Sequence, residues 1–363
     1  MNARYNVAIV GQTGVGKSTF INYLYGECVV KADIGRPVTK NGFHPVEMEI
    51  NGLPVTLFDS WGLEVGKHDQ WMSELSKELD KRGINQSASE WFHSVFYCIQ
   101  AGGNRIQDCD IDIIKKFIEN NYNVSVILTK CDQVGEDDEN AMRQTIQASI
   151  QGISVISVCS EEKKTRSGET KPFGKGDVER KAFSDFFDSL IIRVPLRCNY
   201  VMNEIKRDWL TDIKAKIKTI GHFGSNESDV REKINADTDK LYKTLASQIN
   251  KEIDSTIKMY GTFSEKLGYP PFESNVPSTS SNHFHKKSTD LNLTWYQAPV
   301  FAALLPFLAV YALFATKSTT QAEFLDELNT VESKVDKYID SQTRNITERL
   351  QELKAEVLCP TAH

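Results

Sequence analysis

The sequence predicts an α/β domain followed by an α-helical region, and three observations carry that prediction. Short apolar runs with strand character recur through the first half, several of them ending at a glycine or an aspartate. The octapeptide Gly11-Gln12-Thr13-Gly14-Val15-Gly16-Lys17-Ser18 fits the phosphate-loop pattern G-x-x-x-x-G-K-[ST] in full. Beyond Val194-Pro195 the strand-like runs cease, and apolar residues recur at helical spacing. The chain of 363 residues has room for both parts, read as 1–194 and 195–363.

The first strand is Tyr5-Asn6-Val7-Ala8-Ile9-Val10, and the stretch Thr19–Tyr25 after the loop reads as a helix. Strand, glycine loop and helix form the context the motif requires. In it Gly11, Gly14, Val15 and Gly16 turn backbone N–H groups toward a β-phosphate, and the helix from Ser18 and Thr19 adds its positive dipole end. Lys17 reaches the β- and γ-phosphates, and Ser18 holds Mg²⁺. The run Val55–Phe58 is a second strand, ending in Asp59-Ser60-Trp61-Gly62. There Asp59 can orient Mg²⁺ through a water, and Gly62 lets its N–H approach the γ-phosphate. Val95–Ile99 and Val124–Leu128 are further strands, the latter ending in Thr129-Lys130-Cys131-Asp132. In this xKxD box Asp132 can accept two hydrogen bonds from the N1–H and N2–H₂ edge of guanine, which adenine does not offer. The stem of Lys130 covers the base face. Ser154–Val158 runs into Cys159-Ser160-Glu161, where the Ser160 N–H meets the guanine O6.

On these motifs, residues 4–193 resemble the P-loop GTPases of the translation-factor and Ras-like class. The resemblance implies a mostly parallel sheet with helices on both faces, and GTP or GDP with Mg²⁺ at the strand carboxyl ends. Within the class, Thr13-Gly14-Val15-Gly16 is similar to the loops of septins, Toc/GIMAP-type GTPases and Era-like GTPases. The switch I threonine of the family, which binds Mg²⁺ and the γ-phosphate, corresponds to Thr39, the only threonine between Gly26 and Pro45. Phe43–Ile50 then forms an edge strand that turns at Asn51-Gly52 into Leu53–Phe58, a strong hairpin signal. Where Ras-like proteins carry the glutamine that positions water, this chain has Leu63. Hydrolysis is therefore expected to be slow without a partner or dimerisation. Arg36 is a candidate internal arginine finger, with a solvated loop arginine as the alternative. Glu64 and His68 are candidates to position water, against an exposed loop histidine for His68. Arg105 either reaches a neighbouring G domain or pairs locally with Asp108 or Asp110.

The net charge of −6 has its signs interspersed, which argues against nucleic acid as a partner. Seven scattered cysteines show no metal spacing and read as reduced thiols of a cytosolic domain. Cys131, inside the guanine box, reads as packing. The N-terminus enters the first strand at once, so no signal peptide is expected. The basic stretch from Lys163 to Gly176, diluted by acids, reads as a solvated loop before a helix Asp177–Ile192.

In the second half, Val201, Ile205, Trp209, Ile213 and Ile217 mark one helix, and Ile234 to Ile257 a second. A polar linker at 270–290 follows, and Leu328 to Val357 mark a long third helix. A bundle or stalk is expected. Residues 295–315 carry no charge over about 21 positions, enough for one bilayer crossing. They read as membrane contact or as a buried hairpin, so a lipid partner and a peripheral or anchored location stay open. G domain, long helices and apolar tip together are similar to dynamin-like membrane GTPases. A homodimer through G domains is the other partner expected.

Overall fold

The computed structural model describes residues 4–26, 42–50, 53–60, 66–103, 105–165, 168–220, 227–266 and 320–358. A six-stranded sheet occupies the N-terminal half, in spatial order β2-β3-β1-β4-β5-β6. Its strands are β1 (Tyr5–Gly11), β2 (Phe43–Ile50), β3 (Leu53–Ser60), β4 (Ser94–Gln100), β5 (Val124–Thr129) and β6 (Ser154–Ser157). Neighbours pair in parallel except at the edge, where β2 runs antiparallel to β3. The register Ile50↔Leu53 leaves two residues for the connection, the length that Asn51-Gly52 predicts, although that pair lies outside the described residues.

The strands are apolar on both faces because helices cover both. On one face Ala8, Val10, Val95, Tyr97, Val126 and Leu128 pack with α2 (His68–Lys81), α3 (Asp108–Glu119) and α4 (Glu136–Ser149) through Leu75, Ile113, Phe117 and Ile146. On the other, Phe20 of α1 (Lys17–Tyr25) meets Phe96 edge-on at 6.3 Å. Beyond it, Asn123 and Ser125 donate to Asp185 of α5 (Lys175–Ile217).

The chain divides into two compact units, Met1–Arg193 with Lys258–Gly268, and Val194–Ile257 with Tyr269–His363. The first unit therefore includes the end of α6 (Glu227–Lys266), which the sequence reading left in the helical half. Aromatic stacking accounts for it: Phe263 lies against Phe186 at 4.0 Å and 11°, and edge-on to Tyr5 at 5.6 Å.

Two further expectations need correction. The helix read as Asp177–Ile192 does not stop there; α5 runs on through Pro195 and is 43 residues long in all. A mid-helix proline costs about 3 kcal/mol. Leu190, Val194, Cys198 and Met202 form a buried stripe at i, i+4 spacing, and each such burial offsets roughly 1.5–3 kcal/mol. The basic stretch after β6 is not all loop, because β7 (Lys163–Thr165) and β8 (Gly168–Thr170) pair as a short antiparallel ribbon. In the second unit, Trp209, Ile213 and Ile217 of α5, Ile234, Leu241, Leu245 and Ile249 of α6, and Leu328, Val331, Val335 and Ile339 of α7 (Gln321–Leu358) are buried. Val201 and Ile205 are only half-buried. Lys206–Asp336 at 2.5 Å and Arg197–Glu252 at 3.2 Å add cross-helix ion pairs.

A buried histidine makes the first unit acid-sensitive. His93 Nδ1 accepts from the Asn6 N–H at 3.0 Å, so the neutral ring keeps its proton on Nε2, 3.0 Å from the Ala88 carbonyl. Burial, helped by the charges of Arg193 and Arg82, pushes its pKa down to about 3. The unfolded chain takes up this proton near pH 6.5 and the folded chain does not. Stability is thus full above that pH and falls as pH drops toward 3, by about 1.4 kcal/mol per pH unit. Urea unfolding at pH 7 and pH 5 should show His93→Gln losing roughly 2 kcal/mol less than the wild type over that interval. The same loss in both proteins would contradict it.

Candidate functional site

The carboxyl ends of β1, β3, β5 and β6 converge on one edge, and the singled-out residues gather there. Gly11 closes β1 opposite Cys98 of β4. A Cβ at Gly11 would lie 2.4 Å from the Cys98 carbonyl oxygen, at φ +146°, so only glycine fits. The loop rises through Gly14 (φ 81°) and turns into α1 at Gly16 (φ 99°). Two left-handed positions let successive N–H groups face the same concavity, the geometry of an anion nest. Lys17 is buried in the first turn of α1 and donates to the carbonyls of Gly11 and Gln12, both at 2.9 Å. Burial lowers its pKa, and the nearby Asp59 opposes that shift.

Asp59, at the end of β3, is 6 % exposed. Burial raises its pKa, while Lys17 and then His44 oppose the shift. Its Oδ1 atom is buried and has no hydrogen-bond partner among the described residues. A carboxylate oxygen left in that state is costly unless a cation or ordered water meets it. Ser18 stands half-buried in the first turn of α1. A hydroxyl and a carboxylate at a strand end are hard oxygen donors, and they fit hydrated Mg²⁺.

The second half of the site comes from β5 and β6. The Thr129 hydroxyl donates to the Val15 carbonyl, with Ile99 O at 3.3 Å. Lys130 adopts a left-handed conformation (φ 56°), and its Nζ donates to Gly14 O at 2.8 Å and Gln100 Oε1 at 3.1 Å. Its stem thereby passes Gly16, where an added Cβ would stand 3.6 Å from Lys130 Cε. Cys131 is packing: it is buried, its thiol donates to Leu128 O at 3.2 Å, and burial pushes its pKa up to about 11. Gly16, Thr19, Thr129, Lys130, Asp132, Ser160 and Glu161 line one open recess.

Thr39, Arg36, Gly62, Leu63 and Glu64 lie outside the described residues, as does 295–315. Among the described residues no helix is long and apolar enough to cross a membrane. His68 opens α2, 3.9 Å from Asp112 and 3.8 Å from Asp69. Asp110 does not serve Arg105: its carboxylate is 3 % exposed and faces Gln12, Tyr97 and the Gln107 N–H. The sequence reading missed Gln12, Gln100, Tyr97 and the inward role of Asp110. Gln12 occupies a variable motif position; Asp110 meets Gln12, Tyr97 meets Asp110 and Gln100 meets Lys130 only through the fold.

Residues 6–130 match the family model described as 50S ribosome-binding GTPase. The N-terminal unit is a P-loop G domain. Domains of this kind bind GTP or GDP with Mg²⁺. Among curated relatives, cell division control protein 10 of Saccharomyces cerevisiae is 25% identical over 167 residues, covering 40% of this chain and 52% of that one. Septin-9 of Homo sapiens is 24% identical over 171 residues, covering 40% and 28%. GTPase Der of Acetivibrio thermocellus is 34% identical over 74 residues, covering 20% and 17%. The chain thus spans about half the length of the yeast relative and less of the others. Among solved structures, Toc33 from Arabidopsis thaliana, in complex with Mg²⁺ and GMPPNP, aligns at 16% identity and TM-score 0.38, over 53% of this chain and 87% of that one. The G domain of the T. maritima FeoB transporter aligns at 17% identity and TM-score 0.33, over 50% and 98%.

Within this G domain, the single hydroxyl of Thr129 ties the guanine box to the phosphate loop. Thr129→Val keeps the shape and removes the donor, at a cost of about 1 kcal/mol. Titration with fluorescent GDP should show affinity weakened roughly fivefold. Unchanged affinity would mean that Lys130 alone suffices to hold the loop from the β5 side.

Proposed function

We propose that the chain binds GTP in a Mg²⁺-dependent manner and hydrolyses it to GDP and phosphate, acting as a conformational switch. The recess that joins the end of the phosphate loop to the guanine box carries this reading, because one cavity is lined by both Gly16 and Asp132. Lys17 neutralises the β- and γ-phosphates, and the N–H groups of residues 14–19 cradle them. Bound Mg²⁺ would offset charge on the β- and γ-oxygens, held by Ser18 and, through water, by Asp59, with Thr39 joining in the GTP state. Asp132 reads the guanine edge, the Lys130 stem covers its face, and the Ser160 N–H meets O6. Gly62 meets the γ-phosphate, and Arg36 supplies charge in the transition state. Leu63 cannot orient water, so turnover is slow until a partner or a second copy assists.

The septin relatives motivate an assembly role through a G-domain dimer, and the apolar stretch 295–315 motivates membrane attachment. Liposome flotation of the full chain is expected to depend on 295–315. A chain that stays in the soluble fraction with GDP and with a non-hydrolysable GTP analogue would refute the membrane role.

The base assignment is tested with xanthine nucleotides. Asp132→Asn should lose GDP affinity by about two orders of magnitude and gain affinity for XDP, because the amide complements the xanthine 2-oxo group. Equal ATP and GTP affinity in the wild type would sink the assignment.

A further inference from the structure

The loop Gly11–Gly16 between β1 and α1 is rich in glycine. Three glycines take positive φ, at 146°, 81° and 99°. Such a backbone is free unless side chains from elsewhere hold it, and freedom lost on binding weakens affinity. One flank is held from β5, through Thr129 and Lys130. The other flank is held from α3. Gln12 Nε2 donates to both carboxylate oxygens of Asp110 at 3.0 Å. The carbonyl of the same Gln12 accepts the Lys17 ammonium at 2.9 Å. A shift of Gln12 therefore moves one of the two carbonyls that aim the phosphate-binding lysine.

Asp110 is itself fixed. The Tyr97 hydroxyl donates to Oδ1 at 2.6 Å, and the Gln107 N–H to Oδ2 at 3.1 Å, completing the capping box of α3. Burial and the carboxylate keep the Tyr97 phenol protonated and so a donor. Tyr97 is fully buried on β4, and Asp110 is 3 % exposed. Bonds from neutral donors to a buried carboxylate are charge-assisted and short of competing water.

We propose that Asp110 is a positioning residue of the nucleotide site, which sets the grip of the phosphate loop on the diphosphate by holding Gln12. The inference rests on the loop being the nucleotide site, and its test separates the two.

The test is a double-mutant cycle on the full-length chain with Gln12→Met, Asp110→Asn and the pair, using fluorescent GDP with Mg²⁺. Either single substitution should raise the dissociation rate of bound GDP about tenfold, with association nearly unchanged. The double variant should release GDP no faster than the faster single. A dissociation rate is measured on molecules already folded and loaded, so a loss of folded protein does not move it. If Asp110→Asn speeds release by the same factor with Met at position 12, or leaves release unchanged while wild type binds, the positioning role is wrong. If wild type binds neither GDP nor GTP, the nucleotide reading itself fails.

Discussion

The structure of the site depends on one constraint, the fixing of a glycine-rich loop by side chains distant in sequence. Thr129 and Lys130 reach back more than a hundred residues to the carbonyls of Val15 and Gly14. Those two contacts make the phosphate loop and the guanine box one piece. They also explain the left-handed backbone of Lys130, a strained conformation for a residue with a side chain, which aims its ammonium at the loop. A nucleotide entering the recess meets a surface already assembled, and little ordering remains to oppose binding.

The sheet makes that assembly possible. β1 carries Gly11 at its carboxyl end and Tyr5 at the other, and both ends are pinned. Gly11 lies so close to Cys98 that no side chain fits. The Tyr5 ring contacts His93, Phe186 and Phe263, and its hydroxyl bonds with Ser94 and Ala182 O. Arg193 is nearly fully buried, stacked on Trp91 and Tyr122, and it donates to the carbonyls of Asn120 and Arg82. Burial lowers its pKa, yet an arginine stays charged, and the rings and carbonyls offset that buried charge. The end of the domain away from the nucleotide is thus a rigid aromatic and cationic block behind the strands that carry the site.

Much of this was legible in the sequence, for identifiable reasons. The edge strand Phe43–Ile50 and its antiparallel register on Leu53–Ser60 follow from Asn-Gly between two extended runs, a signal that acts between neighbours. The phosphate loop follows from glycine, because backbone freedom is a property of the residue itself. The end of α6 joins the first unit, which its sequence does not encode, because an apolar residue such as Phe263 does not say which core will bury it. The helix Asp177–Ile192 was read short of Pro195 for a related reason. A local steric cost predicts a break, and the burial of residues one turn to either side outweighs it.

By itself the sequence put forward the residues suited to phosphate, cation and base, since those properties reside in single side chains and their near neighbours. Only the tertiary structure decided how they are held. It turned Asp110 inward to Gln12 and Tyr97 rather than outward to Arg105, and it joined Thr129 to Val15. It also left the buried Oδ1 of Asp59 with no hydrogen-bond partner among the described residues. The physical reason is common to all three. Whether a polar group is satisfied depends on what the fold places within 3 Å of it, and no spacing along the chain encodes that distance.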